Sequence, residues 1–413
     1  MKKVLSLLLA LVLCLSVLPT AALAAETPET HTHYLCAGKD ADGNNVCTGV
    51  GGHQDVMTDF SKVLRMNGNG LWVDNTPCET EGDNYLLTTG NYRLDNDIDL
   101  GSKEIQIVGD VKLCLNGFNI STSAGTVIYV SGEGTGSNFS LTDCHTGTAQ
   151  GHIQHNAGTT GRGLFVGTEY ASSSKTYTDT FNLYGGIIRG NDSSNAGAKY
   201  NGGGGLCVVA VGKFNMYGGS ITGNKAKQGG GLYTQSATYD QFVRGVNLYG
   251  GTIEDNSASA EGGGVYIDSG SFPQTFTMTG GTITGNGAGG NGAGVFVKEY
   301  GARFIVSGTT AKVTGNTNSE KKGNVYLETN SSGKTATIRV AGALSDGKNH
   351  AVIGVTTGTA PAEGKAVQIA EGSGYTLTGA DTDGFTSDAG YQVLLADDGI
   401  EISNTEHKHP ICG

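Results

Sequence analysis

The sequence predicts an all-β chain: a parallel β-helix, a single-stranded solenoid with three short strands per coil, preceded by a small Cys/His-rich module. The first observation behind this is a repeated phrase. Phe181-Asn-Leu-Tyr-Gly-Gly-Ile-Ile-Arg-Gly-Asn191 returns with small changes as 214–224, 246–256 and 276–286, and a worn copy ends at Asn316. Successive terminal asparagines lie 33, 32, 30 and 30 residues apart, a period that belongs to solenoids and arrays. The second is a following phrase, Gly229-Gly-Gly-Leu-Tyr233 or Gly262-Gly-Gly-Val-Tyr266. The third is composition. Sixty-nine glycines against six prolines suit many tight corners, and apolar residues at fixed phase argue against disorder.

Taken in order, residues 1–25 read as a secretory signal. Lys2 and Lys3 precede an apolar run from Val4 to Leu18, and Ala22-Leu-Ala24 is a small-residue cleavage site. Losing that segment takes the formal charge from −12 to −14, by two lysines. So acidic a surface does not attract nucleic acid or anionic lipid, and no later apolar run is long enough to span a bilayer. The expected location is extracellular, secreted or attached to the cell surface. Residues 26–60 form the Cys/His-rich module and 61–84 a linker. The β-helix occupies 85–330, and the final coils with a C-terminal cap 331–405. Residues 406–413 read as the truncated start of a second module, because His407, His409 and Cys412 copy His31, His33 and Cys36 at a constant offset of 376.

Within 214–224, Phe214 and Met216 alternate with Asn215 and Tyr217, the period of a strand. Gly218-Gly219 breaks it, Ile221 centres a second strand, and Leu232-Tyr233-Thr234 forms a third. Stacked coils then place Leu183, Met216, Leu248, Met278 and Val306 in one inward column and Ile188, Ile221, Ile253 and Ile283 in another. Asn191, Asn224, Asn256, Asn286 and Asn316 stack at a corner, where their amides can bond to one another and to the backbone. Looser coils are expected around Val111–Ile120, Val127–Val130, Phe139–Asp143 and Gly163–Val166. Later ones are expected around Thr337–Val340, Val352–Val355, Val367–Ile369 and Tyr391–Leu395.

Several groups could carry chemistry. His31, His33, Cys36, Cys47 and His53 offer five ligands suited to a structural zinc, while a Cys36–Cys47 disulfide accounts for the cysteines equally well. Asp95, Asp97 and Asp99 alternate as if on one strand face. They offer oxygen ligands to calcium, although a solvated strand face is the simpler reading. Tyr184, Tyr217 and Tyr249 form one outward file. Tyr233, Tyr266, Phe296 and Tyr326 form another, with Phe165 and Cys207 in line. Exposed rings suit stacking on sugars or burial against a protein; the same rings can instead stack on each other and stiffen the sheet. Outward charges on the second strand are confined to Arg189 and Glu254, two coils apart, which is poor material for a catalytic centre. No catalytic residue and no required cofactor are therefore expected.

Asn224-Lys-Ala226 with Gly229–Tyr233, and Asn256-Ser-Ala258 with Gly262–Tyr266, resemble the repeats of polymorphic outer-membrane-protein adhesins. The resemblance covers roughly 180–330. It implies a right-handed parallel β-helix of the pectin-lyase-like class on a bacterial surface, with adhesion as the family role. The aromatic residue that the family carries four positions before the Asn is missing here. The leading expectation is a binding rod whose outer sheet faces contact polysaccharide, glycoprotein, or a protein of a host or neighbouring cell. The alternative is an extracellular polysaccharide lyase or glycoside hydrolase of the pectin-lyase-like class.

Overall fold

The computed structural model describes residues 33–34, 57–58, 60–68, 70–132, 134–168, 177–194, 202–236, 245–269, 273–299, 301–319 and 321–404, all in one compact unit, His33–Gly413. The signal segment, the N-terminal ligands His31, Cys36, Cys47 and His53, and the C-terminal copy at 407–412 lie outside the described residues. The chain is almost all β, a β-solenoid of about 10 turns. Its helical segments among these residues are two short 3-10 turns, Gly147–Ala149 and Gly379–Gly384.

Each regular coil runs through three faces. In one coil the strands are Gly212–Met216, Ser220–Thr222 and Leu232–Gln235; in the next they are Gly245–Leu248, Thr252–Glu254 and Val265–Asp268. Equivalent strands pair in parallel without a register shift, so equal positions of the repeat lie side by side. Leu183, Met216, Leu248, Met278 and Val306 form one inward column. Ile188, Ile221, Ile253 and Ile283 form a second. All are at most 1% exposed, and fully burying each such side chain is worth roughly 1.5–3 kcal/mol. A further inward column is aromatic: Phe139, Phe181 and Phe214 stack at 5.4 and 5.2 Å.

The two repeated phrases interlock at one corner. Asn224 Nδ2 donates to Asn256 Oδ1 at 3.0 Å, Asn256 to Asn286 at 3.0 Å, and Asn286 to Asn316 at 2.8 Å. The same oxygens accept the backbone N–H of the preceding asparagine. Beside this ladder runs the last glycine of each triplet. A Cβ on Gly231 would lie 2.9 Å from Asn256 Nδ2 and 2.7 Å from the Gly264 carbonyl, and one on Gly264 would meet Asn286 in the same way. The third glycine is thus required by close approach, and the first, Gly229 or Gly262, by a φ of +60° or +68°.

The ladder reaches further than the repeat. Asn191 leads it, with His155 Nδ1 against Asn191 Oδ1 at 2.9 Å. Asn191 Nδ2 is committed to Asn224, so its oxygen faces the histidine. The other nitrogen, Nε2, lies 2.8 Å from the Ala124 carbonyl. At the far end Asn316 passes the ladder to Asn324, which donates to Asp388 at 2.7 Å. The ladder thus runs from the His155 ring at its oxygen end to the Asp388 carboxyl group at its N–H end.

Segment 61–84 is not a linker. Lys62–Asn67 and Gly70–Val73 form an antiparallel hairpin, and Lys62–Asn67 also pairs in parallel with Gly90–Leu94 of the first regular coil. Leu64 and Leu71 are buried in the same core as the coils. The cause is legible afterwards: Gly68-Asn69 separates two apolar runs, a hairpin signal. At the other end Gln392–Ala396 and Gly399–Ser403 form a hairpin on Val367–Gly372. These antiparallel pieces close the parallel stack at either end.

Candidate functional site

The aromatic files lie on the outer sides of their sheets and outside the bore, as registered columns. Their expected exposure to water needs correcting. Tyr233, Tyr266 and Phe296 are each 5% exposed and Tyr184 is 8% exposed, whereas Tyr217, Tyr249 and Tyr326 are half-buried. The reason is the strand spacing, which brings each ring onto the next. Centroids are 5.6 Å apart for Tyr233–Tyr266, 5.0 Å for Tyr266–Phe296, 5.4 Å for Phe296–Tyr326, 4.8 Å for Tyr184–Tyr217 and 4.9 Å for Tyr217–Tyr249, all stacked. Within each stack the ring faces are covered, so edges and hydroxyls are what remains for a ligand. Tyr233 Oη donates to Asp268 at 2.9 Å, and Asp268 also accepts from Gln235 and Lys298. Burial, with Asp268 beside it, pushes the Tyr233 phenol well up.

The acidic trio does not converge. The strand ends at Leu94, and Asn96 turns the chain by bonding the Met66 backbone through both amide atoms. Asp97 then accepts from Asn119, and Asp99 from Gly101 and Asn156. Among the described residues, Asp143, Cys144 and His145 are the group whose ligand atoms come together. On the second face, Arg189 donates to Gln154, while Glu254 accepts from Ser220 and Thr252. A further outer ladder, Asn247 to Asn215 to Asn182 to Asn138 to Asp110, lines the first face at 2.8–2.9 Å.

Sequence reasoning missed a cleft of about 560 Å³ on the first face of the last coils. Three neighbouring strands form its floor: Ala302–Val306, Ile338–Val340 and Val367–Gly372. Their register sets Ile305, Arg339 and Glu371 side by side, with Arg303 two residues from Ile305 on the same face. Loop residues Lys334 and Lys365 and the carboxylate of Glu299 complete the wall. Arg339 Nε meets Glu371 at 3.3 Å and Lys334 Nζ meets Glu299 at 3.4 Å. Arg303 and Lys365 carry no ion pair among the described residues. The cleft thus holds four cations, two of them neutralised, on a chain whose net charge is −12. No signal marked it, because 331–405 lacks the thirty-residue period that placed the other outward positions.

Compared with protein-family models, curated proteins and solved structures, the chain matches none.

Proposed function

We propose that this chain is an exported, surface-associated binding rod whose first face holds an anionic polysaccharide, or the anionic glycan of a glycoprotein, in the cleft of its last coils. The observation that carries this reading is the pair of uncompensated cations, Arg303 and Lys365, facing one cleft from either side of the strand Ile338–Val340. A guanidinium recognises a carboxylate or sulfate with two parallel hydrogen bonds, and a lysine adds a point charge. Strands about 4.8 Å apart repeat such groups along the stack, which suits an extended polymer. The signal-like first 25 residues support export. The resemblance to adhesin repeats supports a role in attachment.

The test is retention of the purified protein on a polyuronate compared with a neutral glucan, at low and raised salt. Selective, salt-weakened retention that falls at least tenfold in Arg303→Ala/Lys365→Ala supports the proposal, tenfold being about 1.4 kcal/mol. Equal retention by the variant overturns it.

A second reading, cleavage of the same polymer, is favoured by one observation: Glu299 and Glu371 line the same cleft. Each is already paired with a cation, Lys334 or Arg339, whereas glycoside hydrolysis needs two carboxyl groups turned toward the scissile bond. Time-dependent release of reducing or unsaturated ends, lost in Glu371→Gln, would establish it.

A further inference from the structure

We propose that Cys114, Cys144, His145 and Asp143 form a binding site for a thiophilic divalent ion, zinc above all. The site is built by two neighbouring coils. Cys114 ends the strand Asp110–Cys114, whose neighbour Asn138–Thr142 sets Thr142 beside it. The corner after Thr142 carries Asp143, Cys144 and His145 back over the same place. Cys114 is fully buried on the outer side of the sheet, next to Phe60 and Tyr184, and its thiol is hydrogen-bonded to that of Cys144.

The ligand atoms of Asp143, Cys144 and His145 all lie within 4.8 Å of one another, and two of their separations match a tetrahedral metal site. Cys144 Sγ lies 3.4 Å from His145 Nδ1, and His145 Nδ1 lies 3.3 Å from Asp143 Oδ1. Zinc bonds of about 2.3 Å to sulfur and 2.0–2.1 Å to nitrogen or oxygen put tetrahedral ligand atoms about 3.3–3.8 Å apart, the two sulfurs being the widest pair. Two thiolates, an imidazole and a carboxylate form a donor set that prefers zinc to magnesium or calcium. The outer support is present too. The Asp143 carboxylate accepts the backbone N–H groups of Gly117, His145 and Gly151, the last at 2.6 Å, which fixes its direction. Access is open, since Cys144 is exposed and the His145 side chain is 45% exposed. Binding is a proton exchange without redox: the ion forms two bonds to sulfur and both thiol protons pass to solvent. The ion would tie the corner at 143–145 to the coil below it.

The experiment uses the full chain, reduced with a phosphine, stripped with a chelator and titrated with cobalt(II) and zinc. Cys36→Ser/Cys47→Ser/Cys412→Ser removes the thiols of the N-terminal module and of its C-terminal copy, so that a thiolate–metal signal left is assigned to this site. That variant is expected to bind one equivalent with a thiolate-to-cobalt charge-transfer band and tetrahedral d–d bands. Adding Cys144→Ser/His145→Ala, two substitutions in an exposed corner with folding checked by circular dichroism, should abolish the band and weaken zinc at least 100-fold. Absence of the band from Cys36→Ser/Cys47→Ser/Cys412→Ser overturns the proposal. So does a Cys114–Cys144 disulfide in protein taken directly from its own compartment.

Discussion

Asn256→Ala removes one rung from the middle of the buried ladder. The Asn256 side chain makes four bonds: Nδ2 to Asn286 Oδ1 at 3.0 Å and to the Ile221 carbonyl at 2.9 Å, and Oδ1 from the Asn224 backbone and Nδ2, each at 3.0 Å. Asn286 Oδ1 keeps its bond from the Asn256 backbone. The Asn224 N–H and one Nδ2 hydrogen lose their acceptor at a site no more than 1% exposed. A buried donor left unsatisfied costs about 1–3 kcal/mol, so two cost about 2–6 kcal/mol. The control is Asn247→Ala on the outer ladder, a half-buried residue that donates one bond to Asn215 at 2.9 Å. It should cost about 0.5–1.5 kcal/mol. Urea unfolding followed by circular dichroism reads both as midpoint shifts at constant slope. A changed slope would instead report coils melting separately. The reasoning fails if Asn256→Ala lies within about 0.5 kcal/mol of the parent or costs no more than Asn247→Ala.

Gly231→Ala should cost about 1–3 kcal/mol by the same assay, because its methyl meets the Gly264 carbonyl and the Asn256 amide; a neutral result would refute the interlock. Tyr266→Ala takes a ring from the middle of a stack. It should lose about 3 kcal/mol of stability while leaving polyuronate retention unchanged; lost retention with intact stability would restore the ring file as the ligand site. Burial, then the nearby Arg189, pushes His152 from 6.5 down to about 4. Between those values the unfolded chain binds more protons than the folded one, so stability falls as pH drops from about 6.5 toward 4. His152→Gln should flatten that decline in melting temperature; an identical profile would show that His152 does not drive it.

The period made the bore legible, because one inward residue per strand repeats at a fixed place in the phrase. It also made the middle of the Asn ladder legible, but not its ends. His155 belongs to a coil with a different spacing, and Asn324 stands only eight residues after Asn316. Asp388 comes from a coil that has lost the repeat. The aromatic columns were placed on the correct side of the sheet and misjudged for exposure, since alternation assigns a side and says nothing of what the neighbouring ring covers. The cleft was invisible for a related reason: Arg303, Arg339 and Lys365 acquire a shared meaning only when 302–306, 338–340 and the loop before 367–372 are laid side by side. The hairpin at 62–73 was hidden by its polar surroundings, although Leu64 and Leu71 complete the first layer of the core.

The most direct test of the binding-rod account is calorimetric titration of the parent and of Arg303→Ala/Lys365→Ala with one defined oligouronate. Saturable binding by the parent that weakens with salt and drops at least tenfold in the variant is the predicted result. Identical isotherms for the two proteins, or no heat from the parent even at low ionic strength, would contradict it.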